Sequence, residues 1–261
     1  MDPVYRPVVQ FVTTAYRLKR WQLEVTGEEH VPESGGAIIA TNHIGYLDFT
    51  VSGYAVKRAT RRNRLVRYAA KKEVFDHPVS GPLMRGMKHI PVDRGGNVDR
   101  TMDTAVRYLQ DGELVGMFPE ATISRSFVPL PGKTGTVRMA QQAGVPIIPA
   151  AIWGSQRIWT KGRPRNLSSG VLLTVDFGAP FEVAPDADPT AATEDLMTRI
   201  GALVDTAQRR YPETPAEGEE WWLPAHLGGT APTPEEAAEQ AAAEAAARRE
   251  RRRQAEADGS Q

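Results

Sequence analysis

His43 and Asp48, five residues apart in Asn42-His43-Ile44-Gly45-Tyr46-Leu47-Asp48, are the side chains best suited to chemistry. On a regular helix, positions i and i+5 lie about 500° apart around the axis and do not share a face. The pair therefore belongs in a turn between the strand-like run Ala37-Ile38-Ile39-Ala40 and a helical pattern beginning near Leu47, with Asp48 on the helix's first turn. A carboxylate that accepts the Nδ1 proton fixes the imidazole tautomer and leaves Nε2 to take a proton from a hydroxyl. An imidazole of ordinary pKa, about 6.5, is mostly neutral near pH 7, as a base must be. Gly45 is expected to let the turn bend tightly.

The elements that must position this pair follow from apolar periodicity. Residues 3 to 20, with Val4, Val8, Phe11, Val12 and Ala15 at helical spacing among Arg6, Arg17, Lys19 and Arg20, read as a basic amphipathic helix. It either packs on the protein's own core or lies on a membrane surface. Strands are expected at Trp21 to Val25, Ala37 to Thr41, a stretch ending at Lys71-Lys72, His89 to Val92, Leu114 to Phe118, Val145 to Trp153 and Val171 to Phe177. Helical patterns alternate with them: Leu47 to Val56, a segment from Val74 to Met87 broken by Pro78 and Gly81-Pro82, Met102 to Leu109, a short helix within Gly132 to Gly144, and Leu196 to Ala207. This alternation argues for one α/β domain over residues 21–211. Trp221-Trp222-Leu223, within 212–230, is expected to form a clasp folded back on the core, with an interfacial anchor as the alternative. The 231–261 tail, rich in Ala, Glu and Arg, is expected to be an exposed helix or disordered, its start capped by Thr233, Pro234 and Glu236.

Composition narrows the chemistry. No cysteine is present, which removes disulfides, thiolate metal sites and a Cys nucleophile. No run approaches the roughly 18 apolar residues of a membrane span, and the N-terminus lacks a signal-peptide layout, so any membrane contact is expected to be peripheral. The net charge of zero conceals an asymmetry: residues 1–180 hold 24 Lys and Arg against 15 Asp and Glu, and 181–261 hold 8 against 17. The basic portion suits an anionic partner such as phosphate, a phosphopantetheine carrier or an anionic lipid surface, and no nucleic-acid motif accompanies it. Eight Lys or Arg between Lys57 and Lys72 read as a solvated rim, apart from Lys71 and Lys72 at a strand end where ligands of open α/β sheets bind.

Four blocks stand in order: Asn42-His43 to Asp48, Ile90-Pro91-Val92-Asp93-Arg94, Phe118-Pro119-Glu120-Ala121-Thr122, and Val145-Pro146-Ile147-Ile148-Pro149. Together with Ala70-Lys71-Lys72-Glu73-Val74 they resemble the glycerolipid acyltransferase family, most closely the 1-acylglycerol-3-phosphate (lysophosphatidate) acyltransferases, over roughly residues 20 to 180. The resemblance implies a single domain with a central mixed sheet flanked by helices, at the cytoplasmic face of a membrane. It implies that His43, assisted by Asp48, deprotonates the hydroxyl of a lysophospholipid acceptor, which attacks the thioester of acyl-CoA or acyl carrier protein. No tightly bound cofactor, metal or covalent acyl-enzyme is required, and no Gly-x-Ser-x-Gly elbow is present. Substrate contacts are expected from Asn42, Lys71, Arg94, Glu120, Thr122 and Arg125. Where the family usually reads Glu-Gly-Thr-Arg, this chain has Glu120-Ala121-Thr122-Ile123. Either Arg125 or Lys133 supplies the missing charge, or the acceptor is another lysophospholipid, glycerol 3-phosphate or a glycolipid. A metal-dependent phosphohydrolase built on His43, Asp48, Asp93 and Glu120, and a non-catalytic lipid-binding protein, are the competing classes.

Overall fold

A computed structural model describes residues 3–92 and 98–258. Its helices are α1 (Tyr5–Leu18), α2 (Asp48–Ala59), α3 (Lys72–Asp76), α4 (Ser80–Gly86), α5 (Val98–Gln110), α6 (Gly135–Ala143), α7 (Pro189–Arg210) and α8 (Pro234–Asp258). Its strands are β1 (Gln22–Thr26), β2 (Ala37–Thr41), β3 (Val66–Lys71), β4 (Ile90–Val92), β5 (Leu114–Met117), β6 (Ile147–Trp153) and β7 (Leu172–Phe177). The strands form one sheet in the order β1-β7-β6-β2-β5-β3-β4. Every pairing is parallel except β6 with β7, so the sheet is mixed, as expected. Strands covered on both faces carry continuous apolar runs, and β2 and β6 are buried at every position.

The chain divides into two compact units: Met1–Ile123 with Pro129–Pro212, which carries the sheet, and Ser124–Val128 with Glu213–Gln261, which carries α8. In the second unit Thr233 and Glu236 form the expected reciprocal cap, with Glu236 N–H donating to Thr233 Oγ1 at 3.2 Å and Thr233 N–H donating to the Glu236 carboxylate at 2.9 Å.

Helix α1 turns most of its aliphatic stripe inward, with Val4, Val8, Val12 and Ala15 half-buried and Val12 packed against the core. Its buried positions are Tyr5, Thr13 and Tyr16, whereas Phe11 and Leu18 are 75% and 78% exposed. Tyr5 donates its hydroxyl to Val66 O at 2.6 Å, and the Tyr16 and Thr50 hydroxyls share a 2.7 Å bond that ties α1 to α2. The basic run from Lys57 to Lys72 also departs from a solvated rim. Arg67 is buried within β3, where it donates to Met87 O at 3.0 Å and pairs with Glu113. Arg58 donates to Leu23 O, and Arg64 to the carbonyls of Pro32, Gly35 and Gly112. Part of the positive charge thus staples turns rather than facing an anionic partner.

Candidate active site

The central strands β5, β2 and β6 run parallel side by side, so their carboxyl ends open on one edge, where ligands of open α/β sheets bind. β2 leads into His43, β5 into Phe118-Pro119-Glu120, and β6 into Gly154-Ser155. Residues more than a hundred positions apart are brought together by strand register alone.

Asp48 opens α2, and its charge is favoured there by the helix dipole. Its Oδ2 accepts three hydrogen bonds, from His43 Nδ1 at 2.9 Å and from the Ile44 and Gly45 backbone N–H groups at 2.7 and 2.8 Å. Its Oδ1 accepts the Ser155 hydroxyl. Because an ionised carboxylate only accepts, the His43 proton is assigned to Nδ1, leaving Nε2 as the basic atom. Nε2 has no hydrogen-bond partner among the described residues. The Asp48 side chain has no exposed surface while that of His43 keeps 21%, so the imidazole is reachable and its carboxylate partner is not. Phe118 stacks on the imidazole, centroids 4.2 Å apart, and fixes the plane of the ring.

Gly45 serves close approach rather than a left-handed turn: a Cβ there would lie 3.0 Å from Trp159 O and 3.1 Å from Ser155 Oγ. The segment after β6 closes over the loop. Ser155 reaches Asp48, Thr160 donates to Ile44 O at 2.6 Å, and Tyr46 N–H donates to Trp159 O at 2.9 Å.

Glu120 braces His43 from the other side. One carboxylate oxygen accepts His43 N–H at 2.8 Å and the other accepts Leu130 N–H at 2.9 Å, so both oxygens hold backbone. Burial pushes its carboxyl up to about 8, against the two N–H bonds, which pull it down, and with a smaller upward push from Asp48.

The other expected site residues divide. Asn42 is fully buried, and its amide exchanges two hydrogen bonds with the Ile152 backbone at 3.0 and 2.7 Å, which extends the β2–β6 ladder by one step. It is a structural link and has no surface to offer a substrate. Lys71 ends β3 and is exposed, as is Thr122 in the loop after Glu120. Arg94, with Asp93, lies outside the described residues. Ile123, where the family pattern has arginine, is buried. Arg125 belongs to the second unit and pairs there with Glu244. Lys133 is exposed in the sheet-bearing unit, and its N–H donates to Pro119 O at 2.9 Å, which holds its backbone next to Glu120. Among the described residues, no group of three His, Asp or Glu could hold a metal ion.

Ser155 and Thr160 carry no motif, and a lone Ser or Thr beyond a strand has no periodic signal. The one available hint was their place just after a strand end of the fourth block.

The structure is an open mixed sheet with an oriented histidine at its carboxyl edge. The chain belongs to the acyltransferase family, whose model matches residues 22–153. It is 31% identical over 188 residues to the 1-acyl-sn-glycerol-3-phosphate acyltransferase of Bacillus subtilis (strain 168), covering 70% of this chain and 89% of that one. The enzyme of the same name from Limnanthes douglasii is 33% identical over 162 residues, 61% of this chain and 54% of its own. A similar fold is found in the crystal structure of the 1-acyl-sn-glycerophosphate (LPA) acyltransferase, PlsC, from Thermotoga maritima, with a TM-score of 0.64, 20% identity, and coverage of 80% and 81%.

Proposed function

We propose that the protein transfers an acyl chain from acyl-CoA or acyl carrier protein to the free hydroxyl of 1-acylglycerol 3-phosphate, giving phosphatidate. The observation that carries this is the His43–Asp48 pair: Nδ1 held by a buried carboxylate, Nε2 open at the carboxyl edge of the sheet. His43 Nε2 takes the hydroxyl proton as the oxygen attacks the thioester carbonyl carbon. Collapse of the tetrahedral intermediate breaks the C–S bond, and the imidazolium returns its proton to the departing thiolate. No residue is acylated along the way.

An acceptor phosphomonoester carries a charge near −2 and calls for at least two cations. Lys71 and Arg94 are those the family pattern supplies. Lys133 is the third, because its backbone is fixed beside Glu120 whereas Arg125 is held by Glu244. A second reading of the acceptor rests on Ile123: with an apolar, buried side chain where the family has arginine, a different lysophospholipid or glycerol 3-phosphate takes the site. For the cellular setting, we propose peripheral attachment at the cytoplasmic membrane face through the outer side of α1. Phe11 and Leu18 lie two turns apart there, among exposed Arg6, Arg17 and Arg20.

The deciding assay follows thiol release from acyl-CoA with lysophosphatidate, without added metal, and identifies the product by mass spectrometry across an acceptor panel. His43→Ala should lower kcat by roughly a hundred- to ten-thousand-fold, the range for loss of a general base. Equal turnover by wild type and variant rules the mechanism out, and activity that a chelator removes and a divalent ion restores favours the phosphohydrolase. Lys133→Ala should raise KM for the phosphorylated acceptor with little change in kcat. An unchanged KM excludes Lys133 from the acceptor site.

A further inference from the structure

We propose that Ser155 is a positioning residue for the base: its hydroxyl sets the plane of the Asp48 carboxylate and, through it, the hydrogen bond that orients His43. This rests on the reading of His43 as the general base.

Asp48 has no exposed surface, so no bulk water can replace a missing partner, and a buried carboxylate oxygen left unpaired is costly. Three donors converge on Oδ2, whereas Oδ1 has Ser155 as its one partner among the described residues. Rotation of the carboxylate about its Cβ–Cγ bond is therefore set by how Oδ1 is held. Without the Ser155 hydroxyl, Oδ1 is left unpaired, and the carboxylate gains by turning Oδ1 toward the Ile44 and Gly45 amides at the expense of the bond to Nδ1.

The exit of β6 is built to deliver this hydroxyl. Gly154 has a φ of +95°, and a Cβ there would fall 2.2 Å from Leu172 O, so only glycine makes the turn. Gly154 N–H donates to the Gln156 side chain at 2.9 Å, and Ser155 opens a short helical turn with no exposed surface of its own. Ser155 is not a nucleophile in disguise. Its hydroxyl is donated to the carboxylate and not to the imidazole, and it has no route to a substrate carbonyl.

Thr160 is the internal comparison. It comes from the same segment and bonds the same loop, but at Ile44 O, so it supports the backbone without touching Asp48. The test compares Ser155→Ala, Ser155→Cys and Thr160→Val in three measurements: kcat and KM with acyl-CoA and lysophosphatidate, Tm, and the downfield proton NMR resonance of His43 Nδ1–H. Ser155→Ala should lower kcat by about ten- to a hundredfold, typical of a partner that orients a ligating or catalytic group, with KM within about twofold. Its Nδ1–H resonance should shift or broaden into faster solvent exchange. Ser155→Cys, keeping a weak donor in similar volume, should fall between. Thr160→Val should lower Tm while leaving the resonance in place. The proposal is overturned if Ser155→Ala keeps both kcat and the resonance, or if Ser155→Ala and Thr160→Val lower kcat and Tm in parallel with the resonance unmoved. Should the alanine variant not fold, Ser155→Cys decides alone: wild-type kcat with an unmoved resonance overturns it. The resonance needs no substrate, so failure of the general-base reading, seen as activity in His43→Ala, is registered separately.

Discussion

A carboxyl group shut away from water and bonded by two amides responds to pH differently from one at the surface. For Glu120 the folded-state value is about 8 against an ordinary 4.5. Between those values the folded protein binds more protons than the unfolded chain, so this group's contribution to stability is full below about 4.5 and is lost as pH rises through 8. Glu120→Gln removes the titration and sets an amide donor against a backbone N–H, which costs about 1–3 kcal/mol. Thermal denaturation of both proteins from pH 5 to 9 should show the wild type's advantage shrinking as pH rises. A constant gap would mean that Glu120 is ionised throughout. At this scale the His43–Asp48 relation was legible because a five-residue spacing cannot lie on one helix face and must be a turn. The partners of Asp48 and the true job of Asn42 were not. Ser155 is 107 positions from Asp48, and a polar side chain in a motif reads the same whether it meets substrate or sews two strands together.

Among elements, the loop after β5 carries the clearest strain. Ala121 has a φ of 56°, in the left-handed region, where the family pattern has glycine. A side chain there costs about 1–2 kcal/mol. Glycine's greater freedom in the unfolded chain offsets about 0.4–1 kcal/mol of any relief. Ala121→Gly should therefore raise stability by roughly 0.5–1 kcal/mol in urea denaturation, and a loss would show that the methyl group packs favourably. Strand positions were legible from apolar runs because β2 and β6 are buried on both faces. The tyrosine anchors of α1 were not, because tyrosine is only weakly apolar by composition yet buries its ring when its hydroxyl finds a partner, as Tyr5 and Tyr16 do. Arginines that cap turn carbonyls, such as Arg64, are likewise indistinguishable in sequence from solvated ones.

For the molecule as a whole, none of the described helices is long and apolar enough to cross a membrane, which leaves the outer face of α1 as the proposed contact. Deleting α1 would test this poorly, since it removes Tyr5 and Tyr16 from the core. Phe11→Asp combined with Leu18→Asp changes only exposed positions and should leave stability within about 0.5 kcal/mol of wild type per site. Co-sedimentation with anionic liposomes should fall sharply, and undiminished binding would place the contact elsewhere. The charge imbalance between residues 1–180 and 181–261 was visible in composition, but its division between internal staples and outward surface needed the fold.

His43, Glu120 and Ser155 follow three adjoining strands at the centre of the sheet. Central strands buried on both faces are the last parts of such a fold to open, so the loops that carry these side chains are anchored at rigid ends. The segments joining these strands can therefore differ in length without moving the three side chains, except the turn from His43 to Asp48, whose five-residue spacing is set by the bond between them.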